Sequence, residues 1–197
     1  MRLFMTPTSP FARRVRVLLR ELGIQGVEEV PSVLRDPESA LLGFTPLGKV
    51  PALEIEPGTV LTETAQICRW LDEQADGRLL PASANERNDA VAIEGVASGL
   101  LDSVGLRSRF LRVPEDERSP RILRQEEERT ARALDWLERR SATLARSGLL
   151  PQTTTACALG FMDWRLPESP WRGGRPGLAA WFDAFAERPS MRSTKPA

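Results

Sequence analysis

The chain has 197 residues, and its 27 basic side chains are balanced by 27 acidic ones, so neither nucleic acid nor an anionic membrane is favoured as a partner. It contains no His and no Tyr, which excludes Ser-His-Asp and Cys-His nucleophiles and His-ligated zinc, and no metal is expected. No apolar run approaches the roughly 18 residues of a membrane span, and the first residues do not form a signal peptide, so we expect a cytoplasmic protein of one large or two small domains.

The first predicted elements are a strand over Arg2–Met5 and a helix that begins at Ser9 and Pro10. A Ser at this position can cap the helix, and a Pro in the first turn gives up an N–H that would be unbonded anyway. Gly23 ends the helix. A strand followed by a tight turn places Ser9 at the carboxyl edge of a sheet and at a helix N-terminus. Ser9 is therefore either a simple cap or part of a ligand site in which a thiolate would be stabilised.

A weak strand is predicted over Val27–Val30, followed by a short helix or irregular link over Arg35–Leu42. A hairpin is predicted over residues 50–61, with its turn at Pro57-Gly58. The next helix is predicted to take its capping side chains from residues 62–64. The predicted order of elements is β-α-β-α-β-β-α.

Two parts of this region can bind a ligand. Pro51 has no N–H, so the backbone of Val50 is either simply the start of a strand or a place where a peptide-like ligand pairs by strand addition. The helix start at Thr64 is either an ordinary capped N-terminus or a carboxylate site, with Glu63 beside it to hold an ammonium group. The second alternative in each case describes a clamp for an amino acid.

Residues 76–86 read as a linker, and the chain beyond them is predicted to be helical. A helix over residues 156–164 is apolar on most sides and is expected at the centre of this part, with Thr153 or Thr154 as its cap. We expect Asp163 to be a structural hydrogen-bond acceptor and the acidic run at residues 126–128 to be a solvated helix face. Cys68 and Cys157 are expected to be buried thiols. Three apolar stripes are predicted to pack together, on residues 93–104, 130–144 and 178–185.

The run Pro46-Leu-Gly-Lys-Val-Pro-Ala-Leu53, followed by Glu63-Thr64, resembles the glutathione-binding domain of the soluble glutathione S-transferases. The stretch from Ser9 to Arg16 resembles the active-site turn of the serine- and cysteine-type bacterial members, and residues 157–165 and 178–191 resemble their helical domain. The resemblance implies an α/β thioredoxin-like N-terminal domain over residues 1–75, the linker over 76–86, and an all-α domain over 87–197. Thr45 departs from the Asn that related sequences often have.

The resemblance also implies roles for individual residues. Ser9 takes the catalytic position, and the residues implied to bind glutathione are Phe11, Lys49, Val50, Pro51, Glu63, Thr64 and Asp102. Phe11, Leu100, Val104, Arg107 and Phe110 are expected to line the pocket for a hydrophobic electrophile, which the glutathione thiolate would attack. A homodimer is expected. Two alternatives remain open at this point: a non-catalytic glutathione-binding or regulatory protein, and a glutathione-dependent isomerase or lyase.

Overall fold

A four-stranded mixed sheet forms the centre of the first of two units in the computed structural model, which describes residues 1–34 and 36–196. The strand order is β2-β1-β3-β4, with β1 parallel to β2 and antiparallel to β3, and β3 antiparallel to β4. The elements of this unit before residue 79 are β1 (Arg2–Met5), α1 (Pro10–Leu22), β2 (Glu28–Pro31), a 3₁₀ helix (Ala40–Gly43), β3 (Ala52–Glu56), β4 (Thr59–Thr62) and α2 (Thr64–Gln74). The predicted order is confirmed, with the 3₁₀ helix in the place of the expected short helix or link, whose first residue, Arg35, lies outside the described residues.

Successive side chains of each strand point to opposite faces of the sheet, and both faces are covered. On one face, Phe4 and Ala52 pack with Leu41 of the 3₁₀ helix and with the ring of Phe44. Neighbouring strand residues point the opposite way, so Leu3 and Leu53 face the other side, and both are completely buried. Helix α2 packs on β3 and β4 and also against α1. This is the predicted thioredoxin-like arrangement.

Helix α1 begins and ends as the sequence predicts. Ser9 is its N-cap, with Pro10 in the first turn, and Gly23 follows its last residue at φ 69°, in the left-handed region that glycine adopts readily. Helix α2 begins differently from the prediction. Its N-cap is Glu63, which is at φ 62° and makes no side-chain capping hydrogen bond. The expected side-chain cap from residues 62–64 is therefore wrong.

The second unit, Leu79–Arg188, is helical. Its elements are α3 (Ala84–Phe110), a 3₁₀ helix (Glu115–Glu117), α4 (Pro120–Glu138), α5 (Ser141–Leu144), α6 (Leu149–Arg165) and α7 (Pro176–Ala186). Helix α3 packs on both α4 and α6, and the predicted stripe on α3 is buried. The stripe expected over 130–144 is divided between α4 and α5, since α4 ends at Glu138.

Helix α6 begins at Leu149, four residues before the Thr153 or Thr154 that was expected to cap it. Its N-cap is Gly148 at φ 87°, and a Cβ at this position would lie 2.7 Å from the carbonyl oxygen of Leu79. The same carbonyl accepts from the N–H of Leu150 at 3.1 Å. The start of α6 is thus satisfied by backbone from a distant segment, and the predicted threonine cap is wrong.

Two predictions about acidic residues in the second unit have different outcomes. Asp163 accepts hydrogen bonds from the indole N–H of Trp171 at 2.7 Å and from Arg172 at 2.5 Å, which confirms its structural role. Glu126 is only 5% exposed and is held by Arg129 at 2.6 Å. The prediction that all of residues 126–128 form a solvated face is therefore wrong for Glu126, because its carboxylate is buried with a cation beside it.

The C-terminal segment differs from the expected domain division. Helix α8 (Pro189–Arg192) and the residues after it group with the sheet unit, which therefore consists of Met1–Arg78 and the segment from Pro189 onward. The expected helical domain ran through to residue 197. Both cysteines are buried thiols, as predicted. Within the residues described, none of the helices has the length and hydropathy needed to span a bilayer.

Candidate functional site

Three segments of the first unit meet at one edge of the sheet, and the strand register shows where. Phe4, one residue before the end of β1, is opposite Ala52, the first residue of β3. Ala52 is in turn opposite Thr62, the last residue of β4. The turn that leads from β1 to Ser9, the Val50-Pro51 pair before β3, and Glu63-Thr64 after β4 therefore all leave the sheet at the same edge.

Ser9 lies in the turn between β1 and α1 and is half-buried. Its N–H donates to the carbonyl oxygen of Thr6 at 3.1 Å, and its own carbonyl accepts from the N–H of Arg13 at 2.9 Å. Its Oγ accepts from the N–H of Ala12 at 3.2 Å. Since that bond uses a lone pair of Oγ, the hydroxyl proton remains for donation to a ligand atom.

The Val50-Pro51 peptide bond is cis. Pro51 is buried and Val50 is half-buried, with its side chain packed against the cluster of Phe4, Leu41 and Ala52. The side chain of Val50 is therefore fixed by the sheet core. Its backbone lies just before the first residue of β3 that pairs with β1, where a ligand strand can add.

The N-terminus of α2 combines free N–H groups with two charged side chains. Thr64 is its first residue and is buried, whereas Glu63 is exposed. The Glu63 backbone, at φ 62° and ψ 125°, is in a region that non-glycine residues rarely adopt. The ammonium of Lys49 lies 3.9 Å from the Glu63 carboxylate, and both side chains are largely exposed. A cation and an anion thus stand next to a helix start that favours anions.

The predicted residues of the second unit all lie on α3. Leu100 and Val104 are fully buried, Asp102 is exposed, and Phe110 is half-buried at the last position of the helix. Arg107 is only 6% exposed; it donates to Ser169 Oγ at 2.8 Å and to Glu127 at 3.1 Å. Phe11, in the first turn of α1, is half-buried. The assignment of these residues to an electrophile pocket, and of Asp102 to glutathione, stays a prediction.

Two buried side chains near the site, Thr45 and Arg13, had no role predicted from the sequence. Thr45 is 1% exposed, and its Oγ1 accepts from the N–H of Leu47 at 3.3 Å, so this side chain holds the loop before Lys49. Arg13 is 6% exposed and donates to the carbonyl oxygen of Met191 at 2.9 Å. No local signal around Arg13 indicated this partner, because the two residues are far apart in the chain.

A pair of shifted pKa values lies at the opposite end of the sheet. Arg2 and Glu54 face each other across β1 and β3, with Arg2 Nε 2.5 Å from Glu54 Oε2. The hydrogen bond from Arg2 holds the pKa of Glu54 below its ordinary value, and the same bond raises the pKa of Arg2. In the described residues there is no group of three or more His, Cys, Asp and Glu side chains that could hold a metal ion.

Comparison with protein-family models matches residues 3–79 to the family described as "Glutathione S-transferase, N-terminal domain". The matched stretch contains the whole sheet and the three segments that meet at its edge.

Solved structures of similar fold span the whole chain. A glutathione transferase family member from Pseudomonas fluorescens Pf-5 with bound glutathione is 35% identical, with a TM-score of 0.91, over 100% of this chain and 98% of that one. Its structure with bound S-(propanoic acid)-glutathione gives 34% identity and a TM-score of 0.88, over 100% of both chains. An uncharacterised protein of Escherichia coli K12 described as glutathione S-transferase-like, YibF, is 29% identical over 100% of this chain and 98% of its own.

Proposed function

Because the chain belongs to the glutathione S-transferase family, we propose that it binds glutathione at the sheet edge and transfers its thiolate to a hydrophobic electrophile. The observation that carries the proposal is the register Phe4–Ala52–Thr62. It gathers a serine hydroxyl, a strand start and a helix N-terminus at one edge, and a tripeptide with a thiol, a backbone and a charged end matches those three features. Glutathione bound in one similar Pseudomonas structure and S-(propanoic acid)-glutathione bound in another support the same ligand.

Each part of glutathione has a matching feature in the first unit. Its γ-glutamyl carboxylate fits the N–H groups and the Thr64 hydroxyl at the start of α2, and its ammonium fits Glu63. Its cysteinyl backbone fits Val50 by strand addition. The Lys49 ammonium and the Phe11 ring complete the proposed contacts of the first unit, and Asp102 on α3 is proposed to reach the ammonium of the glutathione bound by a second copy of the chain.

Ser9 is the proposed catalytic residue. A free thiol has a pKa of about 8.5, and lowering that pKa to about 6.5 needs ~2.7 kcal/mol in favour of the thiolate. A hydrogen bond to a charged group gives roughly 1.5–3 kcal/mol, and a helix N-terminus adds about 0.3–1 kcal/mol. The Ser9 hydroxyl and the start of α1 therefore suffice, without the histidine or tyrosine that this chain lacks.

The proposed reaction is nucleophilic attack by the thiolate. With an aryl halide, the sulfur forms a bond to carbon and the halide ion leaves with the bonding electron pair. The proton lost from the thiol passes to solvent before the attack. Of the α3 residues proposed for the electrophile pocket, Phe110 is half-buried and is proposed to contact the electrophile, as is Phe11 of the first unit. Leu100, Val104 and Arg107 are buried and are proposed to support that part of α3 from behind. We further propose that the protein works as a homodimer in the cytoplasm, where its two buried thiols would stay reduced.

Calorimetric titration with glutathione tests the binding step, and Glu63→Ala is the informative variant. Losing a charged hydrogen-bond partner costs about 1.5–3 kcal/mol, so the affinity should fall roughly 10- to 150-fold. Glu56→Ala is the matched control, because Glu56 is an exposed glutamate of the same sheet at the hairpin turn. Equal affinity of the parent and Glu63→Ala would show that the ammonium binds elsewhere.

A further inference from the structure

The helix that begins at Ser9 is held by the last part of the chain. Arg13, one turn after Ser9, donates from Nη2 to the carbonyl oxygen of Met191 at 2.9 Å and from Nε to Thr194 Oγ1 at 3.4 Å. Near the other end of α1, Glu21 accepts a short hydrogen bond from the Ser190 hydroxyl. Helix α1 is thus fastened to the C-terminal segment at two places.

The C-terminal segment is built as a rigid support rather than a tail. Ser190, Met191 and Thr194 are all at most 5% exposed. Thr194 Oγ1 donates to the carbonyl oxygen of Ser190 at 2.8 Å, which closes the short turn after α8. The Met191 carbonyl that receives Arg13 therefore has a fixed position.

The Arg13 guanidinium depends on this support. It is 6% exposed, and a buried cation is strongly disfavoured unless it is hydrogen-bonded, so its hydrogen bonds to the segment stabilise it in the folded state. The backbone of the same residue donates to the carbonyl of Ser9 at 2.9 Å. Arg13 therefore joins the C-terminal segment directly to the turn that presents the Ser9 hydroxyl.

From these contacts we infer that Arg13 is a positioning residue for Ser9, with the segment from Pro189 as its anchor. The inference rests on the proposed function of Ser9. Arg13 does not touch the ligand; it fixes the first turn of α1, on which both the direction of the Ser9 hydroxyl and the alignment of the free N–H groups depend. Catalytic hydrogen bonds lose much of their effect when the donor is displaced by about 1 Å. Loosening this turn should therefore raise the pKa of the bound thiol while leaving glutathione bound by the Val50 and Glu63 segments.

Arg20 supplies a matched control on the same helix. It donates to a backbone carbonyl, that of Arg16, at 2.9 Å and forms an ion pair with Glu29 at 2.8 Å, but it lies near the opposite end of α1 from Ser9. Arg13→Met and Arg20→Met remove the same type of group from the same helix. Only the first removes a contact next to Ser9.

The test measures the pKa of enzyme-bound glutathione from the ultraviolet absorbance of its thiolate as a function of pH. We expect Arg13→Met to raise that pKa by about one unit, from about 6.5 to about 7.5, and so to lower kcat at neutral pH about threefold, with KM for glutathione changed less than about twofold. Arg20→Met should leave all three values unchanged. Arg13→Lys keeps the positive charge but loses the planar guanidinium, so its thiol pKa should lie between those of the parent and Arg13→Met. Thr194→Val, which changes the anchor and not α1, should shift the pKa in the same direction by a smaller amount.

The thiol pKa of bound glutathione is also measured in the parent enzyme and in Ser9→Ala. These two values distinguish failure of the inference about Arg13 from failure of the proposed function of Ser9. A lowered thiol pKa in the parent that is lost in Ser9→Ala, combined with a parent-like pKa in Arg13→Lys, Arg13→Met and Thr194→Val, would overturn the inference alone. A parent with no lowered thiol pKa would overturn both. Should Arg13→Met fail to fold, Arg13→Lys and Thr194→Val give the answer.

Hydrogen exchange of the Ala12 amide, which donates to Ser9 Oγ, provides a readout without glutathione. The exchange should accelerate in Arg13→Lys and Thr194→Val and not in Arg20→Met.

Discussion

The Ser9 hydroxyl occupies two roles at once, because its oxygen caps α1 while its proton is available to a ligand. The two roles can be separated by substitution. Ser9→Ala removes both, whereas Ser9→Gly removes the hydroxyl but costs the cap only a few tenths of a kcal/mol.

We predict that Ser9→Ala and Ser9→Gly both lower kcat for an aryl halide at neutral pH by about tenfold or more, because each loses the hydrogen bond to the thiolate. Glutathione affinity should stay near that of the parent. Steady-state kinetics across pH 6 to 8 make the measurement, since a lost pKa shift matters less as the pH approaches about 8.5, the pKa of the free thiol. Parent-like turnover in both variants would mean that Ser9 is a cap only and that another donor holds the thiolate.

The Glu54 carboxylate makes the stability of the sheet depend on pH. Its pKa is lowered chiefly by the hydrogen bond from Arg2, so the folded state favours the ionised form. That contribution to stability is present above the unfolded-state pKa of about 4.3 and is lost as the pH falls through the lower folded-state pKa.

We therefore predict that Glu54→Gln lowers the free energy of unfolding more at pH 7 than at pH 3. Urea denaturation of both proteins at a series of pH values checks this. Glu56→Gln is the control, being on the same strand and exposed. A difference between parent and Glu54→Gln that did not change with pH would show that the ion pair adds nothing beyond packing.

At the scale of elements, α7 shows how one helix can depend on another. The N–H groups of Gly177 and Leu178, in the first turn of α7, donate to the two carboxylate oxygens of Glu138 at 3.0 and 2.7 Å. Glu138 is the last residue of α4, and the N-cap residue of α7 makes no side-chain capping bond. A Cβ on Gly177 would lie 2.6 Å from Ser141 Oγ, so a side chain here would force the Ser141 hydroxyl to move.

We predict that Glu138→Ala destabilises the protein by about 1.5–3 kcal/mol, the usual loss for hydrogen bonds to a charged group, and that Glu138→Gln costs less because it keeps one acceptor. Gly177→Ala should also destabilise, and Ser141→Ala should relieve part of that loss, since it removes the clashing oxygen. Thermal denaturation of the single and double variants measures the coupling. Additive effects of Gly177→Ala and Ser141→Ala would contradict the proposed clash.

The sequence predicted those elements whose signals are local. The cap at Ser9, the end of α1 at Gly23 and the turn at Pro57-Gly58 each depend on a few neighbouring residues, and all are present. The predicted site residues before residue 75 also fall at one sheet edge, because a hairpin and a β-turn-α unit leave few other arrangements.

The features that sequence analysis missed are set by distant partners. Glu138 caps α7 from another helix, Leu79 satisfies the start of α6, and Arg13 finds its acceptor beyond residue 188. Glu126 has the composition of a surface residue but is buried by packing of its helix. None of these contacts leaves a periodic or capping signal near the residue concerned, so propensity and pattern cannot indicate them.

At the scale of the whole molecule, α3 has a face that none of the residues described by the structure covers. Val91 is 54% exposed, and Gly95 and Gly99 have open space where a side chain would be. Glycine inside a helix costs about 1 kcal/mol relative to alanine, and among the described residues nothing comes near enough to either position to exclude a Cβ. A closely approaching second copy would explain both glycines and the exposed valine.

We predict a homodimer, with a mass in solution about twice the chain mass of 21.9 kDa, and we predict that Gly95→Leu dissociates it. In a monomer the same substitution should be neutral or stabilising, because leucine is a better helix former than glycine. Light scattering at micromolar concentration, combined with thermal denaturation, distinguishes the two. A parent of single-chain mass, or a Gly95→Leu variant that remains dimeric, would reject this interface.

The return of the chain to the sheet unit at Pro189 has a consequence for how the protein is made. Synthesis on the ribosome runs from the N-terminus to the C-terminus, so every strand of the sheet emerges before the second unit, while the carbonyl of Met191 that receives Arg13 emerges after it. Helix α1 therefore reaches its final hydrogen bonding only after the whole second unit has been synthesised. A fragment ending at Arg78 would contain the entire sheet and all the proposed glutathione contacts except Asp102, but it would lack the segment that packs on Arg13, so the first turn of α1 would lose that anchor.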